Sequence, residues 1–164
     1  MKHNIKHVLV AACLASLMAC GGKKMLVTEN NTAKAAGVLG LSVAWVKPKG
    51  NKFDVHFSIT NENESKSIIV YLHDIICYRG TTMGEMKHKF FGAGEKVIDL
   101  KIGQTKKFTL GCNHGADAKG PVRIVIAKVY DNPTHDGKVP GKVIATDIEW
   151  KGADPSAETA PKAE

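Results

Sequence analysis

The alternation of apolar and polar side chains over residues 53–59 limits the fold more than any other feature of this sequence. Phe53, Val55, Phe57 and Ile59 are separated by single polar residues, which is the period of a β-strand with one buried face. No stretch of ten residues has the 3.6-residue period of an amphipathic helix. Further apolar runs that favour strands lie at residues 39–46, 68–72, 97–102, 108–112, 122–130 and 142–150. The pattern predicts an all-β chain of seven or eight strands, arranged as a sandwich or a barrel.

The N-terminus has the layout of an export signal. A head containing Lys2 and Lys6 precedes an apolar stretch of about a dozen residues, which ends at Ala19 before Cys20 and Gly21. This stretch is shorter than the roughly 20 residues that a membrane-spanning helix needs. The sequence therefore predicts a protein that leaves the cytoplasm.

The residues Leu17-Met18-Ala19-Cys20 resemble the lipobox of bacterial lipoproteins. The resemblance implies that residues 1–19 are a signal peptide and that Cys20 is lipidated with palmitate and other acyl chains. It also implies a location in the cell envelope, where Gly21 favours the outer membrane, and the periplasmic or surface face stays open. The alternative is an ordinary secretory signal, cleaved near Ala19, that leaves Cys20 free.

Composition divides the remaining chain into three parts. Residues 20–37 are mostly small and polar and are predicted to be a flexible tether. Residues 38–151 carry the strand pattern and are predicted to form a single domain. Residues 152–164 have no apolar side chain larger than alanine and are predicted to be a disordered tail.

Two segments of this domain resemble strands of immunoglobulin-like sandwich domains in bacterial envelope lipoproteins. These are FDVHFSITN at residues 53–61 and GQTKKFTL at residues 103–110. The resemblance implies an immunoglobulin-like β-sandwich with a binding role. The chain departs from antibody domains because Cys77 and Cys112 are close in sequence and no Trp lies between them.

The cysteine count predicts one disulfide. Cys13 leaves with the signal and Cys20 carries the lipid, so that Cys77 and Cys112 remain as an even pair in an exported domain. The alternative is two buried free thiols.

The net charge of the chain and the distribution of its lysines indicate which classes of partner it could bind. The chain has 23 basic and 16 acidic residues, a net charge of +7, and its lysines are scattered along the domain. Scattered lysines are typical of a solvated surface, and attraction to an anionic envelope surface is the functional alternative. Because no basic cluster is interleaved with aromatic residues, we expect no binding to nucleic acid.

Two clusters carry possible metal ligands. Met83, Met86 and His88 offer two thioethers and an imidazole, which suit Cu(I). The alternative is that the methionines fill gaps in the core. The oxygens of Asp131, Asn132 and Asp136 are a weaker candidate site for Ca²⁺, since their spacing is not that of an EF-hand.

No arrangement of catalytic residues is recognisable, so we expect no enzymatic activity. The sequence instead predicts a lipid-anchored binding or assembly module. It would present a strand edge, or the loops at residues 79–95 and 131–141, to an envelope protein or polymer. A periplasmic copper-handling protein that uses the Met/His cluster is the alternative.

Overall fold

The computed structural model describes residues 31–88, 97–133 and 141–152, with the backbone alone for residues 25–26 and for His88. These residues form an eleven-stranded sheet with one short 3₁₀ helix, and every strand pair is antiparallel. The strands are β1 (Met25–Leu26), β2 (Thr32–Ala35), β3 (Leu39–Lys49), β4 (Lys52–Asn61), β5 (Ile68–Tyr71), β6 (Ile75–Arg79), β7 (Thr82–His88), β8 (Val97–Leu100), β9 (Thr105–Asn113), β10 (Val122–Asp131) and β11 (Val143–Lys151). The all-β prediction is confirmed, and the immunoglobulin-like class stays a prediction.

The sheet folds over on itself into two layers. The first layer contains β1 and β2 beside β3, then β4, β9 and residues 85–88 of β7. The second layer contains β11, β10, the consecutive strands β5 and β6, then β8 and residues 82–84 of β7. Inward-facing side chains of both layers form one hydrophobic core. Since β7 pairs with β6 at its start and with β9 at its end, it is the strand that joins the layers.

The predicted disulfide between Cys77 and Cys112 is present, and it lies at the crease between the layers. Cys77 belongs to β6 and Cys112 to β9, which are separated by β7. In a flat sheet two such strands would be about 9.5 Å apart, but the two Cα atoms are 6.2 Å apart. The sheet must therefore bend sharply at β7. Gly84 makes the bend possible, because a Cβ there would overlap the Cys112 Sγ and lie 3.0 Å from the Cys77 Sγ.

The predicted alternation in β4 is also observed. Phe53, Val55, Phe57 and Ile59 are fully buried, while the polar residues between them lie on the opposite side of the strand. At the end of β4, the buried Asn61 side chain donates to two backbone carbonyls and accepts from the Asn63 amide at 2.9 Å. This residue fixes the turn toward β5.

Three predicted boundaries differ from the structure. Residues 32–35, assigned to the tether, form β2 because Ala33 and Ala35 pack on the core, and residues 25–26 pair as β1. Of the loop predicted at residues 79–95, the structure describes residues 79–88, in which Arg79 ends β6 and Thr82–His88 form strand β7. Within the described residues, the structure has no helix with the length and apolar composition to cross a bilayer. The signal peptide, Cys20 and residues 153–164 of the predicted tail lie outside the described residues.

Candidate functional site

The outer face of the second layer is the most distinctive surface of the molecule. Ile68, Val70, Ile75 and Cys77 point into the core, so the residues that alternate with them point outward. We call the outward-facing set the tyrosine face. Its members are Ile69, Tyr71, Ile76, Tyr78, Met83, Val125, Tyr130 and Val143.

All three tyrosines of the chain lie on this face. Tyr71 meets Tyr130 edge-on, with ring centroids 5.3 Å apart, and stacks on His73 at 5.2 Å. The Arg123 guanidinium lies over the Tyr78 ring, 4.7 Å from its centroid. These contacts hold the rings in place before any partner is bound, and both types of contact are stabilising.

The tyrosine face exposes apolar surface at two corners. Met83 is 65% exposed and pairs across the strands with Tyr78. Val143 is 46% exposed and pairs with Tyr130. Between the corners, Val125 is only 9% exposed and Ile69 is fully buried. The outer face of an antiparallel sandwich is normally polar, so an outer face with three tyrosines and two exposed apolar side chains is a candidate interaction surface.

Charged residues of both signs lie on and beside this surface. Arg123 donates from Nε to the Glu149 carboxylate at 2.6 Å, and its Nη1 reaches the Gly80 carbonyl at 3.4 Å. Asp99 accepts from the Asn132 amide at 2.9 Å. Exposed apolar and aromatic side chains together with paired polar groups are common in protein–protein interfaces.

A cavity of about 190 Å³ lies at the end of the second layer, lined by Ser65, Lys66, Asp131, Asn132 and Pro133. The Asp131 carboxylate already forms an ion pair with Lys66 at 3.3 Å and accepts from the Lys142 amide at 2.6 Å. The oxygens proposed for Ca²⁺ at Asp131 are therefore engaged by protein donors, and Asp136 lies outside the described residues.

The structure does not bring together the two thioethers proposed for copper. Met83 lies on the tyrosine face, whereas Met86 pairs with Cys112 and packs against the core. Residues three apart on a strand point to opposite sides. His88 pairs with Leu110 through its backbone, and its side chain lies outside the described atoms. Across residues 31–88, 97–133 and 141–152, no three His, Cys, Asp or Glu side chains cluster as a metal site.

The sequence contained a signal for the tyrosine face. The run at residues 68–72 is apolar throughout, and the run at residues 122–130 is interrupted by Arg123 and Lys128 alone, which indicates strands that are largely apolar on both sides. On its own, the first of these runs predicts a strand buried in the core. In the structure one side of each strand faces the core, and the other side forms the tyrosine face.

No protein-family model and no curated protein matches the chain. Among solved structures, the chain is similar to a candidate lipoprotein from Bacillus subtilis, ycdA, with a TM-score of 0.51 and 12% sequence identity. The similarity covers 75% of this chain and 38% of ycdA. The chain thus spans well under half of that protein, and at this identity the similarity is one of fold.

Proposed function

We propose that this protein is a lipid-anchored, non-catalytic module of the bacterial cell envelope, which binds a partner protein through its tyrosine face. The observation that carries the proposal is the grouping of all three tyrosines with the exposed Met83 and Val143 on one outer sheet face. Aromatic residues, Met and Arg are the residue types enriched at protein interfaces.

Prior ordering of the face favours tight binding. Tyr71, Tyr78 and Tyr130 are each held by a neighbouring ring or guanidinium. A tyrosine has only two side-chain torsions, so binding immobilises it at little cost in entropy. Tyr and Arg also account for a large share of the residues whose truncation weakens complexes most. Tyr78 and Arg123, which contact each other, are the expected energetic centre of the interface.

The envelope location rests on the N-terminal sequence. Leu17-Met18-Ala19-Cys20 supplies the acylation site, and Gly21 favours the outer membrane. The fold similarity to a candidate lipoprotein is in keeping with this location. Stable anchoring takes more than one acyl chain, which the multiple acylation implied by the lipobox would provide.

Site-specific photo-crosslinking in cells tests the binding surface. A p-benzoylphenylalanine at position 83 should give a discrete crosslinked protein, because Met83 is exposed beside Tyr78. The matched control places the same group at Lys107, on the outer face of the first layer. Tyr78→Ala should weaken the affinity for the partner by about 30-fold and reduce the crosslink accordingly. Truncating a tyrosine at the centre of an interface typically costs roughly 2 kcal/mol of binding free energy.

Three outcomes would contradict the proposal. Equal crosslinking from positions 83 and 107 would show that the tyrosine face is not selective. A crosslink that survives Tyr78→Ala unchanged would remove Tyr78 from the interface. A diffuse ladder of products would identify a polymer as the partner instead of a protein.

The anchor is tested separately. We expect radiolabelled palmitate to enter the wild-type protein and not the Cys20→Ser variant. Label retained in that variant would refute acylation at Cys20.

A further inference from the structure

The outer face of the first layer is rich in lysine. Strand pairing places Lys47 opposite Asp54, Asp54 opposite Gly111, and Gly111 opposite Lys87. These positions alternate with core residues along each strand and therefore point away from the core. We use the name lysine face for a set of outward-facing lysines on β3, β4, β7 and β9. Each of them has no ion pair among the described residues. Its members are Lys47, Lys52, Lys87 and Lys107.

The carboxylates near this face do not balance its charge. Asp54 forms an ion pair with Lys49, and Glu62 forms one with Lys34 at 3.2 Å. Each of these acids is thereby matched by a lysine outside the lysine face. Among the outward-facing positions of these four strands, Glu85 is the remaining carboxylate. The lysine face is thus net positive.

The β3 side of the lysine face has an aromatic residue suited to a membrane interface. The Trp45 ring stacks on His56, with centroids 5.4 Å apart and planes inclined by 13°. His56 in turn hydrogen-bonds the Thr109 hydroxyl through Nδ1 at 2.9 Å. Trp is enriched at the level of lipid headgroups because it combines an apolar ring with a polar N–H.

The path of the chain holds this face near the predicted anchor. β1 pairs with the edge of β3, Met25 opposite Val46 and Leu26 opposite Trp45. Cys20 precedes Met25 by five residues, and five residues span at most about 18 Å when fully extended. An acyl group on Cys20 would therefore keep Met25, which pairs with the edge of β3, within about 18 Å of the bilayer surface.

We propose that the lysine face docks on the anionic phospholipid headgroups of the membrane that holds the anchor. The position of the lysine face near the membrane rests on the proposed acylation of Cys20. The affinity for the membrane rests on the lysines. Lysines close to an anionic membrane surface each strengthen binding by about fivefold. Lys47, Lys87 and Lys107 together should contribute about a hundredfold.

Vesicle binding by the non-acylated protein tests the docking. The protein used is residues 20–164 with Cys20→Ser, which contains every residue that the structure describes. Its affinity is measured for vesicles of phosphatidylcholine with 30% phosphatidylglycerol and for vesicles of phosphatidylcholine alone. We expect binding to the anionic vesicles only, and its loss in 1 M salt, where the Debye length is about 3 Å.

The decisive comparison is between two triple variants. Lys47→Gln, Lys87→Gln and Lys107→Gln together should weaken binding to the anionic vesicles by about a hundredfold. The matched control changes Lys101, Lys128 and Lys151 to Gln, three exposed lysines outside the lysine face, and should retain most of the affinity. A thermal melt of each variant confirms that the fold is intact.

Absence of binding to the anionic vesicles would overturn the proposal. An equal loss of affinity in the two triple variants would also overturn it, since attraction would then follow net charge and not this face. Because the tested protein has no acyl chains and an unchanged tyrosine face, either failure is distinct from a failure of the proposed function.

Discussion

Replacing Gly84 tests whether the sulfur atoms of the Cys77–Cys112 disulfide require a glycine at the crease between the layers. In Gly84→Ala the new methyl group would overlap the Cys112 Sγ and lie 3.0 Å from the Cys77 Sγ. Overpacking of this kind typically costs about 1–3 kcal/mol of unfolding free energy. We expect that loss in the disulfide-bonded protein, measured by urea denaturation.

The same substitution should cost less when the sulfur atoms are absent. In a Cys77→Ala/Cys112→Ala background both sulfur contacts are removed, and the Asn113 backbone carbonyl oxygen, 3.1 Å from the new methyl group, is the close contact that remains. The two backgrounds should therefore differ by about 1–3 kcal/mol in the effect of Gly84→Ala. The disulfide's own contribution, about 4 kcal/mol for a separation of 35 residues, cancels because each comparison is made within one background.

Gly103→Ala is the matched control. Gly103 has a φ of +70° and a Cβ there would meet no atom within 4 Å. Alanine should cost about 1–2 kcal/mol there from backbone strain, equally in the two backgrounds. If Gly84→Ala also costs the same in both backgrounds, the sulfur contact is not what requires glycine, and our explanation of the crease is wrong.

Two further predictions concern single sites. Asn61→Ala should lower the unfolding free energy by about 1–3 kcal/mol, because it leaves the carbonyls of Lys66 and Leu100 and the amide of Asn63 without their partner; a loss below 0.5 kcal/mol would contradict this role. In Cu(I) titrations, we expect Met83→Ala and Met86→Ala each to leave the affinity unchanged, because the two thioethers lie on opposite sides of β7. Loss of a one-to-one site in both variants would show that they share an ion.

The sequence was informative where burial is one-sided. The alternation at residues 53–59 predicted β4 and the identity of its core residues, because a period of two has one structural interpretation. The pairing of Cys77 with Cys112 was likewise predictable from cysteine arithmetic. The structure adds that this bond ties the two layers together although it closes a short loop, since β7 turns from one layer to the other between the two cysteines.

The sequence was uninformative where small residues line the inner face. β7 points Gly84 and Met86 inward, and neither residue type favours strands. Its place in the sheet depends on partners in β6 and β9 that are distant along the chain. β2 has the same character, since Ala33 and Ala35 bury too little surface to mark a strand. Propensity is a weak guide where tertiary pairing decides the conformation.

The two proposed surfaces are compatible because they face in opposite directions. Packed sheets lie about 10 Å apart, and the Cys77–Cys112 bond holds the layers in a fixed relation at the crease. Docking of the lysine face on the membrane would therefore direct Tyr78 and Met83 away from the bilayer, where a protein partner has access. Crosslinkers at positions 107 and 83 report on the two directions separately, and we expect the first to capture lipid and the second to capture protein. Capture of lipid at position 83 would mean that the orientation is reversed.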